Sequence, residues 1–148
     1  GALKNVMAVA AGISDGLALG ANAKASLLCR GLAEIGVVLE GLGGLTSTLY
    51  GLAGLGDLLA TANSSLSRNY RCGLLLAQGY NEEQANAQIA ATVEGTRTAR
   101  AALQLAERHS WHLPICEQVV RVLDGLTTPA EAVRALMERG LRPEMVEP

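Results

Sequence analysis

The first 113 residues of the chain contain no proline, and all four prolines lie in the last 35 residues. Because proline interrupts helices, this distribution leaves most of the chain free to form long ones. We find no alternation of apolar and polar residues of the kind that half-buried strands show. With 49% hydrophobic and 18% charged residues, the 148-residue chain can bury a sizeable core. We therefore predict an all-α fold, a single compact multi-helix domain.

The first two predicted helices are rich in glycine. Leu3–Gly20 carries apolar residues at the spacing of three and four that one face of a helix requires. Asn22 is a favourable N-cap residue for a second helix over Ala23–Glu40. Glycines in both segments would let a neighbouring helix approach closely, and they are Gly12, Gly16, Gly31 and Gly36.

Start and stop signals predict the later helices. Ser67 is a candidate N-cap, Asn81 with Gln84 fits a capping box, and Thr128 precedes a proline. The predicted helices run over Ser67–Gln78, Glu82–Ala91, Gly95–His109, Pro114–Asp124 and Pro129–Gly140. Gly79 and Gly125 would end two of them. Between these helices and the first two, 41–66 is predicted to form short helical turns and loops, with a short helix over Gly56–Thr61. Residues 141–148 are predicted to be a flexible tail.

Composition excludes several function classes. A net charge of −2 and only four aromatic residues give little reason to bind nucleic acid. No apolar run reaches the roughly 20 residues of a membrane span, and no secretory signal is visible, so we expect a soluble, cytoplasmic protein. The three cysteines are widely spaced and contain no CxxC pair, which favours buried structural thiols over a disulfide framework. The two histidines do not form a metal-binding pattern, and we predict no metal site.

The residues with the most unusual surroundings lie within 51–73 and at the start of the chain. Asp57 is the only acid in a glycine-rich apolar run, and a buried carboxylate there would need a partner. If Ser67 caps a helix, Arg68 and Asn69 lie in its first turn, where spare N–H groups and the positive dipole end favour an anion. Lys4 would become usable as a base if burial lowered its pKa. We interpret these features as a site for a small molecule that carries phosphate.

Four segments together carry a family resemblance: LKNVMAVAAGISDGLALGANAKASLLCRGLAEI, GLAGLGDLLAT, SLSRNYRCG and TVEGTRTA. In this order and spacing they resemble the C-terminal domain of NAD(P)-dependent glycerol-3-phosphate dehydrogenase of the bacterial and plastid type. The resemblance implies a helical domain like the C-terminal domain of 6-phosphogluconate dehydrogenase. It also implies an enzyme that interconverts dihydroxyacetone phosphate and sn-glycerol 3-phosphate for glycerophospholipid synthesis.

The resemblance assigns catalytic roles to the start of the chain and to the glycine-rich segment. Lys4 would accept the proton of the C2 hydroxyl during oxidation and donate it during reduction. Asn5 would orient the substrate, and Asp57 would hydrogen-bond Lys4 or the substrate hydroxyls.

The resemblance also assigns binding roles. Ser67, Arg68 and Asn69 would bind the phosphate end of the substrate, while Arg68 and Glu94 would contact the nicotinamide nucleotide. NAD or NADP would be bound mainly by an N-terminal Rossmann domain that is absent from this sequence. The chain therefore looks like a fragment that is inactive alone, whose partners are a phosphorylated three-carbon substrate, the cofactor domain of the same polypeptide and, in a homodimer, a second copy.

Two other interpretations of the sequence stay open. The chain could be a non-catalytic helical module for dimerisation or partner binding. It could also belong to a related two-domain dehydrogenase that acts on another hydroxy acid. The combination of Lys4, Asp57 and the Ser67–Asn69 segment favours the glycerol-3-phosphate dehydrogenase interpretation, because a packing module would not need these residues.

Overall fold

The computed structural model describes residues 2–43, 56, 58, 60 and 67–141. Every regular element within these residues is a helix, which confirms the predicted all-α class. In chain order the helices are α1 (Leu3–Gly16), α2 (Ala21–Gly41), α3 (Arg68–Ala77), α4 (Glu82–Ile89), α5 (Glu94–His109), α6 (Pro114–Leu123) and α7 (Pro129–Leu141). The predictions for 44–55, 61–66 and 142–148 lie outside the described residues. None of the described helices is long and apolar enough to cross a membrane.

Helix α1 lies at the centre of the fold. Its residues from Val6 to Ser14 are buried without interruption, so the helix is enclosed on all sides rather than along one stripe. A helix of this kind requires neighbours around its whole circumference. Helices α2, α3, α5 and α6 provide them. The core of the domain is therefore built around α1.

Helices α1 and α3 approach each other through glycines. A Cβ atom added to Gly73 would lie 2.7 Å from the backbone N of Ile13 and 2.9 Å from the Cα of Gly12. A Cβ atom added to Gly12 would overlap the carbonyl group of Tyr70. These neighbours are backbone atoms, which cannot rotate out of the way. The prediction that Gly12 allows close helix packing is confirmed, and its partner is α3.

Successive contacts show that α1 and α3 run parallel. Gly12 meets Tyr70, and one turn later a Cβ atom added to Gly16 would lie 2.6 Å from the Cβ of Ala77. The residue numbers of the contacting pairs therefore increase together along the two helices. The N-terminal ends of α1 and α3 consequently lie at the same end of the domain.

The junction of α1 and α2 differs from the prediction. Helix α1 ends at Gly16 rather than Gly20, because Ala18 adopts a left-handed φ of 57°, which terminates a helix. Gly20, at φ 93° and ψ 172°, takes the N-cap position of α2 without a side-chain hydrogen bond. The assignment of Asn22 as the N-cap was wrong, since the helix already begins at Ala21.

The other start signals are confirmed. Ser67 accepts a hydrogen bond of 3.3 Å from the N–H of the third residue of α3. Asn81 and Gln84 form a complete capping box at the start of α4, with distances of 2.8 and 2.9 Å. The Thr128 hydroxyl accepts from the N–H of Glu131 at 3.1 Å. Short side chains therefore satisfy the exposed N–H groups at these three helix starts.

The two predicted glycine stops are confirmed, and the predicted end of α4 is displaced. Gly79 and Gly125 follow α3 and α6 with positive φ angles of 103° and 72°. Helix α4 ends at Ile89, two residues before the predicted Ala91, because Ala90 adopts a left-handed φ of 57°. A left-handed residue with a side chain carries little sequence signal, which explains the error.

The start of α6 is capped from another helix. Glu34 on α2 is only 5% exposed, and its carboxylate accepts hydrogen bonds from the backbone N–H groups of Ile115 and, at 3.3 Å, Cys116. The residue before α6, Leu113, offers no side-chain cap. A carboxylate at the positive end of a helix makes charge-assisted hydrogen bonds and interacts favourably with the dipole. Glu34 thereby fastens α2 to α6 inside the core.

The cysteine prediction holds for two of the three thiols. Cys72 and Cys116 are buried, but Cys29 is exposed on α2, so its assignment as a buried thiol was wrong. Burial raises the pKa of Cys72 to about 11. Burial, with the nearby Glu34 carboxylate, also raises the pKa of Cys116 above its ordinary value. Both buried thiols are therefore protonated and unreactive at neutral pH.

We predict that Gly73→Ala destabilises the protein. Alanine is the better helix former by about 1 kcal/mol, so helix propensity alone would stabilise the variant. Overpacking against backbone atoms of α1 should reverse the sign and cost about 1–3 kcal/mol. Denaturant unfolding measures the change. Gly56→Ala is the control, because no described atom lies within 4 Å of an added Cβ there. Equal or greater stability of Gly73→Ala would contradict the close contact.

We predict that Glu34→Gln weakens the start of α6. The amide NH₂ group cannot accept a hydrogen bond, so a buried N–H loses its acceptor at a cost of about 1–3 kcal/mol. Hydrogen exchange of the Ile115 and Cys116 amides should become faster than in the unchanged protein. Glu40→Gln, an exposed change on the same helix, is the control. Unchanged exchange at both amides in Glu34→Gln would show that the carboxylate does not cap α6.

Candidate active site

Three helix starts meet at one point of the domain. A Cβ atom added to Gly95, the second residue of α5, would lie 2.7 Å from the carbonyl O of Asn5 on α1. It would also lie 2.9 Å from Oδ1 of Asn69 on α3. Each of these residues belongs to the first turn of its helix. The positive dipole ends of α1, α3 and α5 are therefore neighbours.

A side chain-to-backbone hydrogen bond joins two of these helix starts. The N–H of Gly95 donates to Oδ1 of Asn69 at 2.7 Å. Val93, the N-cap residue of α5, makes no side-chain cap of its own. Asn69 thus caps α5 from α3, and this bond sets the distance between the two helices at the site.

The predicted site residues within the described part of the chain lie on these three helix starts. Lys4 is half-buried in the first turn of α1 and directly precedes Asn5. Arg68 is the exposed first residue of α3, and Ser67 caps that helix. Glu94 is the exposed first residue of α5, which begins one residue before the predicted Gly95.

Asp57 lies outside the described residues, so its predicted pairing with Lys4 stays a prediction. Leu58, which follows it in the sequence, is only 1% exposed and belongs to the core. Lys4 has an interaction partner in the structure. The roles predicted for Lys4, Asn5, Ser67, Arg68, Asn69 and Glu94 likewise stay predictions, although the fold brings their helix starts together.

The charges at the helix starts favour an anion. Neither α1 nor α3 has an acidic residue in its first turn, whereas each has a cation there, Lys4 and Arg68. Helix starts have unsatisfied N–H groups and usually attract acidic side chains. Cations at these positions are electrostatically unfavourable unless a negative partner is present. An anion such as phosphate would interact favourably with the N–H groups of these helix starts and with the exposed Arg68.

A polar cluster behind the site fixes the orientation of α3. The Asp15 carboxylate on α1 accepts hydrogen bonds from the Tyr70 hydroxyl on α3 and, at 2.8 Å, from Lys24 Nζ on α2. The ammonium group of Lys24 also lies 5.5 Å from the centroid of the Tyr70 ring. Because Tyr70 directly follows Asn69, this cluster limits rotation of the first turn of α3. The sequence analysis did not find it.

The cluster changes the titration of two of its members. Burial alone would raise the pKa of Asp15, but the hydrogen bonds from Lys24 and Tyr70 and the charge of Lys24 lower it below its ordinary value. Burial and the hydrogen bond to the Asp15 carboxylate raise the pKa of Tyr70 to about 12. At neutral pH, Asp15 is therefore ionised while the Tyr70 hydroxyl keeps its proton and donates.

An ion-pair cluster supports α5 further along its length. Arg100 donates to both carboxylate oxygens of Glu82 on α4, at 2.7 and 2.9 Å, and to Asp124 at the end of α6, at 2.8 Å. Its hydrogen bonds with the two carboxylates raise the pKa of Arg100. The guanidinium group thus links α5 to its two neighbours in the chain.

The histidines do not form a metal centre in the described part of the chain. No group of three potential metal ligands occurs among the described residues. His109 instead stacks on Trp111, with ring centroids 4.5 Å apart and planes inclined by 14°. Trp111 also packs where a side chain on Gly41 would stand, at the end of α2.

Comparison with known proteins gives a consistent set of similarities. The family model described as NAD-dependent glycerol-3-phosphate dehydrogenase C-terminus matches residues 1–134. The chain is 60% identical to glycerol-3-phosphate dehydrogenase (NAD(P)+) of Synechococcus sp. (strain RCC307) over 144 residues, which cover 97% of the chain and 48% of that relative. Its identity to the enzyme of the same name from Gloeobacter violaceus is 53% over 144 residues, covering 97% of the chain and 47% of the relative.

A solved structure has the same fold. The crystal structure of glycerol-3-phosphate dehydrogenase from Coxiella burnetii superposes with a TM-score of 0.88 at 43% sequence identity. The match covers 93% of this chain and 42% of the Coxiella chain. The chain thus spans about half the length of the curated relatives it matches.

We predict that Asp15→Asn destabilises the protein in a pH-dependent manner. The pKa of Asp15 is lower in the folded than in the unfolded state, so its ionised form stabilises the fold above the unfolded pKa of about 3.9. The loss in Asp15→Asn should be about 1 kcal/mol or less at pH 7, because the cluster is partly exposed. The difference from the unchanged protein should shrink as the pH falls below about 4 and toward the lower folded pKa of Asp15. Denaturant unfolding between pH 7 and pH 3 measures it.

Glu107→Gln is the control for this experiment, since Glu107 is an exposed acid. A difference between Asp15→Asn and the unchanged protein that stays constant or grows toward low pH would contradict the assigned role of Asp15.

Proposed function

This chain belongs to the NAD-dependent glycerol-3-phosphate dehydrogenase C-terminus family, and on that basis we propose that it is the substrate-binding half of such an enzyme. The complete enzyme would interconvert sn-glycerol 3-phosphate and dihydroxyacetone phosphate with NAD(P)H. The observation that carries the proposal is the meeting of the starts of α1, α3 and α5 at Asn5, Asn69 and Gly95. This arrangement gathers three positive dipole ends, with Lys4 and Arg68 in the first turns of α1 and α3 and one acid, Glu94, in the first turn of α5.

The phosphate end of the substrate would bind at the start of α3. The Arg68 guanidinium group is exposed and can donate charge-assisted hydrogen bonds to phosphate oxygens. The Ser67 Oγ accepts from a backbone N–H, which leaves its O–H free to donate to the ligand. Asn69 would add its amide N–H groups. These donors match the oxygens of a phosphate monoester in charge and in hydrogen-bonding direction.

The chemistry at carbon C2 would take place at the start of α1. Lys4 would accept the proton of the C2 hydroxyl during oxidation and return it to the oxygen during reduction. Asn5 would orient the C2 and C1 oxygens, and Asp57 would hold Lys4 through a hydrogen bond. The nicotinamide, when bound, supplies or accepts the hydride.

This chain offers few groups to the nucleotide, and those groups fit it. Arg68 and Glu94 are exposed on adjacent helix starts that the Asn69–Gly95 hydrogen bond joins. A guanidinium group can bind a phosphate of the nucleotide, and a carboxylate can accept from ribose hydroxyls. Most nucleotide contacts would come from the half of the relatives that this chain does not match. We therefore expect no hydride transfer by this chain alone.

The wider role follows from the reaction. An enzyme of this kind would supply sn-glycerol 3-phosphate as the backbone for glycerophospholipids. Its partners would be the phosphorylated three-carbon substrate and the cofactor-binding domain of the same polypeptide. A homodimer and a cytoplasmic location stay predictions.

A chimeric enzyme tests the proposal. This chain would replace the matching half of the Synechococcus relative, and reduction of dihydroxyacetone phosphate would be followed by oxidation of NAD(P)H. Lys4→Ala should lower kcat by about 100-fold or more, because general acid–base catalysis contributes about 10²–10⁴-fold. Arg68→Ala should raise the KM for dihydroxyacetone phosphate by about 10- to 100-fold, since charged hydrogen bonds contribute about 1.5–3 kcal/mol.

The exposed substitution Glu107→Gln, on the outer part of α5, is the control and should leave both constants unchanged. An active chimera in which Lys4→Ala and Arg68→Ala have normal kinetics would refute the proposed site. A folded chimera that reduces no substrate would favour the alternative of a helical module without a catalytic role. Reduction of other hydroxy-acid precursors in preference to dihydroxyacetone phosphate would favour the related two-domain dehydrogenase.

A further inference from the structure

We propose that Gly95 is a positioning residue for substrate binding. Its backbone N–H holds the side-chain amide of Asn69 in one orientation, so that Asn69 presents only its NH₂ group to the ligand. The inference rests on the proposed function, because it takes the ligand group at the start of α3 to be a phosphate. It explains why position 95 is a glycine, and it states which end of the Asn69 amide faces the ligand.

The hydrogen bond determines which end of the amide faces the ligand. An N–H donor requires an acceptor, and of the two amide ends only Oδ1 can accept. The 2.7 Å distance from the N of Gly95 therefore assigns Oδ1 to the α5 side. In residues 2–43 and 67–141 the structure gives the Asn69 side chain no other hydrogen bond. The Nδ2 group remains available to a bound molecule.

Packing around Gly95 keeps the amide in place. Gly95 is buried, and an added Cβ would lie 2.7 Å from the O of Asn5, 2.8 Å from Cγ2 of Val9 and 2.9 Å from Oδ1 of Asn69. Real Cβ atoms do not approach other atoms so closely. A side chain at this position would have to displace the start of α1, the Asn69 amide, or both. Only glycine lets α5 approach near enough for its N–H to reach Asn69.

The direction of the amide matters for the kind of ligand. Phosphate oxygens only accept hydrogen bonds at neutral pH, apart from the proton that a monoester can keep. An NH₂ group facing them contributes a favourable contact, whereas an amide oxygen would repel them. The hydrogen bond from the start of α5 thus fixes one of the two possible orientations of the Asn69 amide, the one in which NH₂ faces the ligand. This selects an anion over a ligand that offers hydrogen-bond donors.

The experiment uses the chimeric enzyme and compares neighbouring substitutions at the start of α5. Gly95→Ala should raise the KM for dihydroxyacetone phosphate by about 10-fold, the scale of one lost hydrogen bond to a charged group, while kcat changes less than about 3-fold. The matched control is Thr96→Ala. Thr96 is buried, and its hydroxyl donates to the carbonyl of Val93 at 3.0 Å, so this change perturbs the same turn without touching Asn69.

Thr96→Ala should lower the thermal unfolding temperature but leave KM unchanged. Equal KM values for Gly95→Ala and Thr96→Ala would show a merely structural role and overturn the inference.

Asn69→Asp provides a second test that does not depend on how well Gly95→Ala folds. The aspartate can still accept from the Gly95 N–H, but it presents a negative oxygen where Asn69 presents NH₂. We expect an unfolding temperature at least equal to that of the unchanged protein and a KM increase of about 100-fold or more. A near-normal KM for Asn69→Asp would mean that the ligand does not face a donor, and would overturn the inference.

Arg68→Ala separates failure of the inference from failure of the proposed function. If Arg68→Ala raises KM while Gly95→Ala and Asn69→Asp do not, the phosphate site stands and the positioning role falls. If none of the three raises KM, the phosphate-binding function itself is refuted.

Discussion

The close contact between α1 and α3 is the constraint on which the rest of the structure depends. Gly12 and Gly73 bring the backbones of the two helices together at a distance that excludes side chains. The helices run parallel, so their positive dipole ends lie at the same end of the domain. Helix α5 packs against them at Gly95. Only a glycine fits there, because a side chain would overlap Asn5, Val9 and Asn69. Packing through glycine thus places the three helix starts of the proposed anion site next to one another.

The site is supported from behind by polar contacts within and between helices. Asp15 on α1 accepts hydrogen bonds from Tyr70 on α3 and Lys24 on α2. The contact with Tyr70 limits both the rotation of α3 about its axis and its distance from α1. Glu34 supplies a carboxylate to the start of α6, where no neighbouring side chain caps the helix. The buried charge of Glu34 and the partly buried charge of Asp15 are tolerated because each has hydrogen-bond donors arranged around it. Rigid helices with satisfied ends are the elements on which binding groups can be held in fixed positions.

The start of α5 illustrates how one contact serves both stability and binding. The N–H of Gly95 would be unsatisfied without Asn69, and the Asn69 amide could adopt either orientation without Gly95. The hydrogen bond therefore satisfies the Gly95 N–H and fixes the orientation of the Asn69 amide. Arg68 and Glu94, which directly precede Asn69 and Gly95 in the sequence, are both exposed. The sequence analysis recognised the residues but could not foresee that two of the helix starts were joined.

The sequence alone determined the helical class, the caps formed by Ser67, Asn81 and Thr128, and close helix approach at Gly12 and Gly16. These features depend on residues a few positions apart, and local propensity suffices to predict them. Only the tertiary structure decided that Gly12 meets Gly73, that Asn69 caps α5 and that Glu34 caps α6. The last two contacts join residues 26 and 81 positions apart. Their partners are backbone N–H groups, which every residue except proline carries, so no sequence pattern marks them.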